Sequence, residues 1–541
     1  MINKKSFIAA FAIAFLHFFV TTVFQFDKLF FEYSSDFMHY GEKNTYSIFY
    51  YYFGIKILFF VFLSLTYSFL FWVYDEYKRG NKTIQRGVYV FLFYLFIAFL
   101  HILILFPGTW AWDDIGTVNT IKHYGIDAWQ HIFSSLLQTI FLQFIPCAGG
   151  IIIIQNIIIS ILVAYSVTIL EKTFLSGQII KNRLIDTFIK CLPFLFPGVL
   201  TYQFSGYRMG LYVYIELALI SIQIVSFKSK KEWKVGDIIF YGTLSVLVAQ
   251  WRTEAMFFMP ISCILLLMQK NCCKPLKIFG TLFIVLGFLT TDFMQKTVLK
   301  MMNKNQNYNV ISTMTPAVEL IRNATEKDSA YISEMEKVLN INAVYEYPTQ
   351  SGTALYWNED AHAVKETYTK ADYKAYIKAF FAMSLKHPDI VIKERFSMFW
   401  KTSAFGGKTN ITNINSETNS HTAFNYMHSD AEMVQKFAAY PHNQPVFPAL
   451  RNALLTLWTN GATYRIIFNP VIPMCFLCAA FLFCAVKKKW YYLVLLSALL
   501  IRTVLAFLTA PSPWFMYYLG EYLLGWTLAI YYIIPKIHIT R

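Results

Sequence analysis

The chain has 541 residues, of which 56% are hydrophobic, 18% aromatic and only 15% charged. That balance excludes a soluble globular protein and a disordered one, and places the chain among multi-pass membrane proteins. The net charge of +15 does not imply a nucleic-acid partner, because residues 295–449 are nearly neutral, with 16 Lys/Arg and 15 Asp/Glu, while the apolar remainder carries 31 against 17.

A membrane-spanning helix needs about 20 apolar residues. Such windows run over residues 6–24, 48–74, 88–106, 150–170, 184–200, 209–227, 238–251, 255–268, 278–294, 466–486, 490–508 and 514–534. They predict an all-α polytopic membrane protein of about twelve spans. The first window has the look of a signal sequence, but TTVFQF (Thr21 to Phe26) lacks a small-residue cleavage pattern, which predicts an uncleaved anchor. Alternating sides from Lys4 and Lys5 puts 21 Lys/Arg on inner segments, against Lys28, Lys43, Lys122 and Arg208 on the short outer ones. Positive residues concentrate inside, so both termini are expected in the cytoplasm.

The first outer stretch, PGTWAWDDIGTVNTIKHYGIDAWQH (Pro107 to His131), reads as a loop with an unusual density of Trp, Asp and His. HIFSSLLQTIFLQFIP follows it and is too short to span, which predicts a helix lying in the outer interface. Residues 1–294 thus read as a membrane domain of about nine spans. Residues 295–449 read as an extracytoplasmic domain, mostly helical because KDSAYISEMEKVL, KADYKAYIKAFFAMSL and PDIVIKERFSMFW space their apolar residues at helical intervals. No cysteine falls there, which excludes a disulfide-stapled ectodomain. Phe405 to Asn425 reads as a long polar loop. Residues 450–541 complete the chain with an amphipathic helix, PALRNALLTLWTNG, and three spans.

Charges inside spanning helices are costly and usually face a cavity or a partner. Lys56, Glu216, Arg252, Glu254, Arg502 and Glu521 all map to the outer half of their helices. Arg208, Tyr212 and Glu216, spaced by four, share one helix face. The pair of windows around QWRTEAM covers only about 31 residues, too few for two full spans, so its tip should lie below the outer surface, with Arg252 and Glu254 at the floor of an outward-open hollow. Forked, permanently charged guanidinium donors at such a floor suit a membrane-embedded phosphate.

Four stretches carry a resemblance: FPGTWAWDDI (Phe106 to Ile115), WQHIFSSLL (Trp129 to Leu137), WRTEAM (Trp251 to Met256) and PSPWFMYYLGEYL (Pro511 to Leu523). Together with the layout they resemble the GT-C class of membrane glycosyltransferases, and within it a family of bacterial multi-pass proteins of the same layout. The resemblance implies a plasma-membrane enzyme that takes a sugar from a polyprenyl-phosphate lipid donor and delivers it to an envelope glycan, lipid or protein acceptor on the outer face. It also implies that Asp113, with Asp114 beside it, deprotonates the acceptor or helps hold a divalent metal such as Mg or Mn. The expected substrate-binding set is Trp112, Trp129, His131, Arg208, Glu216, Arg252, Glu254, Arg502, Tyr518 and Glu521, with Trp110 as a further sugar-stacking candidate. In two places the chain departs from the pattern of that family: Ile132 follows His131 where its members often carry proline, and TYQFSGYR (Thr201 to Arg208) has no acidic residue where some members have one. The rival readings are a flippase for lipid-linked sugars, a glycan polymerase or ligase, and a non-enzymatic envelope assembly factor; a flippase would call for polar positions on both sides of the midplane.

The topology is directly testable. A cysteine introduced at Ser416 should react with an impermeant maleimide on intact cells, and one at Ser229 only after permeabilisation; the reverse pattern would invert every side assignment.

Overall fold

A computed structural model describes residues 4–31, 42–110, 112–126, 131–175, 180–302, 306–405, 441–459 and 465–533. Among them the chain is helical throughout, with two isolated bridges in place of a sheet. The helices used below are α1 (Lys4–Val23), α2 (Glu42–Lys78), α3 (Lys82–Leu105), α4 (Trp112–Lys122), α5 (Ile132–Phe144), α6 (Ala148–Phe174), α7 (Arg183–Cys191), α8 (Pro197–Gln203), α9 (Met209–Lys228), α10 (Val235–Trp251), α11 (Phe258–Leu267) and α12 (Lys274–Met302). They continue with α13 (Ile311–Arg322), α14 (Ser329–Met335), α15 (Ile341–Glu346), α16 (Gly352–Trp357), α17 (Lys370–Lys386), α18 (Pro388–Thr402), α19 (Pro448–Thr459), α20 (Val471–Val486), α21 (Trp490–Thr509) and α22 (Leu519–Leu528).

Eight described helices are long and apolar enough to cross a membrane: α1, α2, α3, α6, α9, α12, α20 and α21. The expected span over 184–200 is a bent pair, Arg183–Phe194 and Pro197–Gln203, at 71° to each other and apolar enough together to count as one broken span or a re-entrant loop; proline disfavours continuing a helix through the break. The windows at 238–251 and 255–268 become α10 and α11, roughly 25 and 15 Å long at 1.5 Å per residue, shorter than a hydrocarbon core of about 30 Å. The last window is also interrupted: a 3₁₀ turn Phe515–Tyr518, then α22, then a π-helical turn Ala529–Ile533. Helices stand where the interfacial and amphipathic return helices were expected, as α5 and α19, and α5 is largely buried against its neighbours. The polar loop expected at 405–425 lies outside the described residues beyond Phe405.

The middle of the bundle is α9, flanked by α6. Within their apolar windows 78% and 67% of the residues are buried, against 11% for α2 and α12, which therefore form the rim facing lipid. Buried amides lock the centre. Gln203 donates to Asn156 Oδ1 (2.8 Å) and accepts from the hydroxyls of Tyr94 (2.8 Å) and Tyr214 (2.5 Å), while Gln155 donates to the Gln203 and Ser205 carbonyls (2.9 and 3.0 Å). A buried polar group is tolerated when its bonds are made, and these fix α3, α6, α8 and α9 in one register.

On the basic, expected cytoplasmic side a second network closes the bundle. Lys190 is fully buried between Asp186 (2.7 Å) and Glu171 (3.2 Å), and Arg86 reaches Glu171 (3.0 Å) and Asp186 (3.5 Å). The segment from α13 to α18 has its own core, built from Met314, Leu320, Val338, Leu355, Tyr376 and Met383. It rests on the end of α21: Thr315 donates to the Pro511 carbonyl (3.2 Å), and Arg395 donates to the carbonyls of Ala510 (2.8 Å) and Leu508 (3.3 Å).

Removing one acid from the Arg86 network leaves buried positive charge uncompensated, a loss on the order of 3–5 kcal/mol. Asp186→Asn should therefore lower the detergent melting temperature markedly, whereas Asp237→Asn, whose partner Lys231 is exposed, should leave it near wild type.

Candidate functional site

Asp113 and Asp114 do not sit on a loop; they occupy the first turn of α4. Negative charge is favourable there, against the helix dipole and unpaired backbone N–H groups. The segment before α4 is pinned to the stretch between α8 and α9. Thr109 N donates to the Phe204 carbonyl (2.8 Å), and Gln138 of α5 donates to the Gly206 carbonyl (2.7 Å). Trp110 is fully buried, donates to the Pro107 carbonyl (3.1 Å), and has its ring against Gly206, where an added Cβ would fall 2.2 Å from the indole. It is therefore packed in the core and has no free face for a sugar. Asp114 is also fully buried, accepting from Ser205 Oγ (3.4 Å), while Asp113 is half-exposed. Of the two carboxylates, Asp113 is the one that solvent can reach.

Beside this pinned pair opens a narrow cleft lined by Met209, Tyr212, Arg252, Glu254, Arg502, Met516, Tyr517 and Gly520. Its floor joins three helices. Arg502 of α21 donates through Nε to Glu521 of α22 (2.7 Å) and through Nη1 to Glu216 of α9 (2.5 Å), and both glutamates are fully buried. Gly520 lies over this triad with no room for a side chain: an added Cβ would fall 2.3 Å from Arg502 Nη2 and 2.7 Å from Glu216 Oε2. Arg252 is paired with Glu254, and its Nη1 points at the Met209 thioether (2.9 Å), a weak acceptor.

The floor is thus not the bare cationic surface the sequence suggested, because Arg502 is held by two carboxylates and Arg252 by one. Arg208 differs. No carboxylate lies within ion-pair distance of it among the described residues, and its Nε is buried without a hydrogen-bond partner. Tyr207 and Tyr308 lie within electrostatic reach of Arg208, Arg252 and Asp113 alike, which places those groups around one mouth.

The other expected residues distribute as follows. Glu216 and Glu521 lie beneath the cleft, behind Arg502. Tyr518 is buried with its ring against Phe399 (5.4 Å), and its neighbour Tyr517 lines the cleft in its place. Lys56 is held away from the cleft by Asp27 (3.0 Å) and Gln143 (2.7 Å). Trp129 and the side chain of Trp112 lie outside the described residues. Sequence reasoning missed Ser205, Tyr207, Tyr308 and Tyr517; the double tyrosine in PSPWFMYYLG was the one available signal. Among the described residues no three His, Cys, Asp or Glu side chains gather as metal ligands. Asp114 is engaged by Ser205 and Glu254 by Arg252, which leaves Asp113 as the half-exposed carboxylate on α4.

His131 caps the N-terminus of α5, its Nδ1 accepting from the Phe133 backbone N–H (3.2 Å). Burial first, then the Arg208 charge, pulls its pKa down to about 4, so the ring is neutral near pH 7.

No family model, no curated protein and no solved structure matches this chain.

The His131 shift fixes the sign of a pH effect. The unfolded chain takes up a proton near pH 6.5 and the folded one near pH 4, so stability is fully present above about pH 6.5 and falls as the pH drops toward 4, by about 3 kcal/mol in all. His131→Asn, which keeps a capping side chain that does not titrate, should flatten the decline in melting temperature between pH 7 and pH 4.5; an unchanged slope would assign it to other groups.

Proposed function

We propose that the chain is a membrane glycosyltransferase of GT-C-like layout with about twelve membrane passes, acting at the outer leaflet of the plasma membrane. Its donor is a sugar carried on a polyprenyl-phosphate-type lipid, and its acceptor is a hydroxyl of an envelope glycan, lipid or protein. The observation that supports this reading is Arg208: a guanidinium with a buried, unbonded Nε and no carboxylate partner among the described residues, sharing the neighbourhood of Tyr308 with the half-exposed Asp113. Buried cations are stable when an anion completes them, and the forked guanidinium matches phosphate oxygens.

In this reaction the acceptor oxygen attacks the anomeric carbon, the bond between that carbon and the phosphate oxygen breaks, and the lipid phosphate leaves with the bonding pair. Asp113 accepts the acceptor's proton as its oxygen forms the new bond. Arg208 stabilises the charge developing on the departing phosphate. Arg252 adds to this by exchanging its thioether contact for a phosphate oxygen. Tyr308, part of an edge-to-face chain with Tyr356 (6.2 Å) and then Trp357 (4.9 Å), supplies aromatic surface toward the acceptor side.

The test is transfer of radiolabelled sugar from membrane lipid to envelope material, with each variant expressed in a deletion strain. Asp113→Asn keeps the shape but cannot take a proton, and should lower transfer by roughly 100-fold or more. Arg208→Ala should do likewise, with Arg208→Lys recovering part of the rate. Asp114→Asn should act differently, lowering protein level and melting temperature because that carboxyl is fully buried. Wild-type transfer by Asp113→Asn and Arg208→Ala, at normal protein levels, would remove this mechanism.

A further inference from the structure

Helix α18 has three faces rather than two. Arg395, Met398 and Thr402 are buried against the protein. Asp389, Lys393, Ser397 and Lys401 are exposed. Between them runs a stripe that ordinary folding leaves uncovered: Ile392, Phe396 and Trp400, spaced by four and 53%, 60% and 56% exposed. At about 100° per residue these side chains form one strip along roughly two turns. Phe405 extends it, stacked on Trp400 at 4.7 Å. Isolated exposed apolar residues are ordinary; a contiguous aromatic strip is not.

The position of the strip identifies what covers it. Phe396 packs edge-on against Phe507 of α21 (5.3 Å), and Arg395 fastens the helix to the carbonyls of Leu508 and Ala510 at the end of that span. On α21 itself, Ile501, Val504 and Leu508 are exposed apolar residues of a helix long enough to cross a membrane, and so face lipid. The α18 strip continues this lipid-facing surface around the corner where α21 ends. The charge pattern agrees: α17 and α18 carry seven Lys/Arg against three Asp/Glu, although residues 295–449 as a whole are nearly neutral. An aromatic strip flanked by lysines is the composition of a helix lying in a headgroup layer, where tryptophan is favoured and cations meet lipid phosphates.

We infer that α18 is an interfacial helix, with Ile392, Phe396 and Trp400 inserted into the same leaflet from which α21 emerges, so that the segment from α13 to α18 is moored to the lipid surface. The occupant of the strip is lipid, and the inference does not depend on the catalytic reading above.

The experiment uses the wild-type full chain in lipid nanodiscs loaded with one copy each, followed by hydroxyl-radical footprinting read by mass spectrometry. Trp357, 41% exposed on the same outer segment, is the internal reference. Insertion predicts oxidation of Trp400 and Phe396 at least five-fold slower than that of Trp357. Oxidation of Trp400 at the rate of Trp357 or faster would overturn the inference. Protection that appears only in discs holding two copies would also overturn it, by assigning the strip to a second chain. A nitroxide at a cysteine replacing Phe396, in a background free of native cysteines, gives an independent reading. It should be relaxed by oxygen and shielded from a soluble nickel chelate, and the same label at Lys393 should show the opposite; shielding at neither position sinks the assignment.

Discussion

The membrane part is organised around Arg502. Its guanidinium joins α21 to α9 through Glu216 and to α22 through Glu521, deep in the bundle and with both carboxylates fully buried. Taking any of these charges out of water costs several kcal/mol, and only tight mutual pairing offsets that. The three helices therefore have no freedom to slide or rotate independently. The same constraint dictates Gly520, the residue that can pass over the triad without a clash. It also shapes the cleft, because Arg502 and Gly520 form part of its lining, beside Arg252, which is itself paired with Glu254.

Above this floor the segments around α4 are placed by polar contacts. The Thr109 and Phe204 backbones, the Gln138 amide and the Gly206–Trp110 packing hold the start of α4 against the stretch leading to α9. At the other end of α4, Tyr124 donates to Asp27 (2.8 Å), which is itself paired with Lys56. Asp113 is thus carried on a helix fixed at both ends. Lys56, one of the odd charges of the sequence, acts in this support.

Much of this was legible beforehand, for definite reasons. Apolar runs about as long as a bilayer is thick identify spans whatever their packing, so α1, α2, α3, α6, α9, α12, α20 and α21 coincide with predicted windows. Helical spacing identified α17 and α18, and chain length alone implied that α10 and α11 fall short of a full crossing. Hydropathy could not show that Pro197 bends its span by 71° or that the final window is broken by 3₁₀ and π turns, because those features depend on backbone geometry and neighbouring contacts that a window average ignores.

Of the candidate site, the sequence by itself determined which residue types were out of place: arginines and glutamates in apolar helices, and two aspartates at the head of a Trp-rich stretch. It could not determine their pairing. Arg252 and Glu254 are two residues apart and their pairing could be anticipated, but Arg502 and Glu216 are 286 residues apart, and nothing local records that distance. Only the tertiary structure separates Asp113 from Asp114, because burial is set by Ser205 arriving from another loop. Only it buries Trp110 and leaves Trp400 exposed beside a lipid-facing helix. A sequence specifies what each side chain can do, but its partners follow from how distant helices pack, and at this site those partners decide which charges are already satisfied and which still require a ligand.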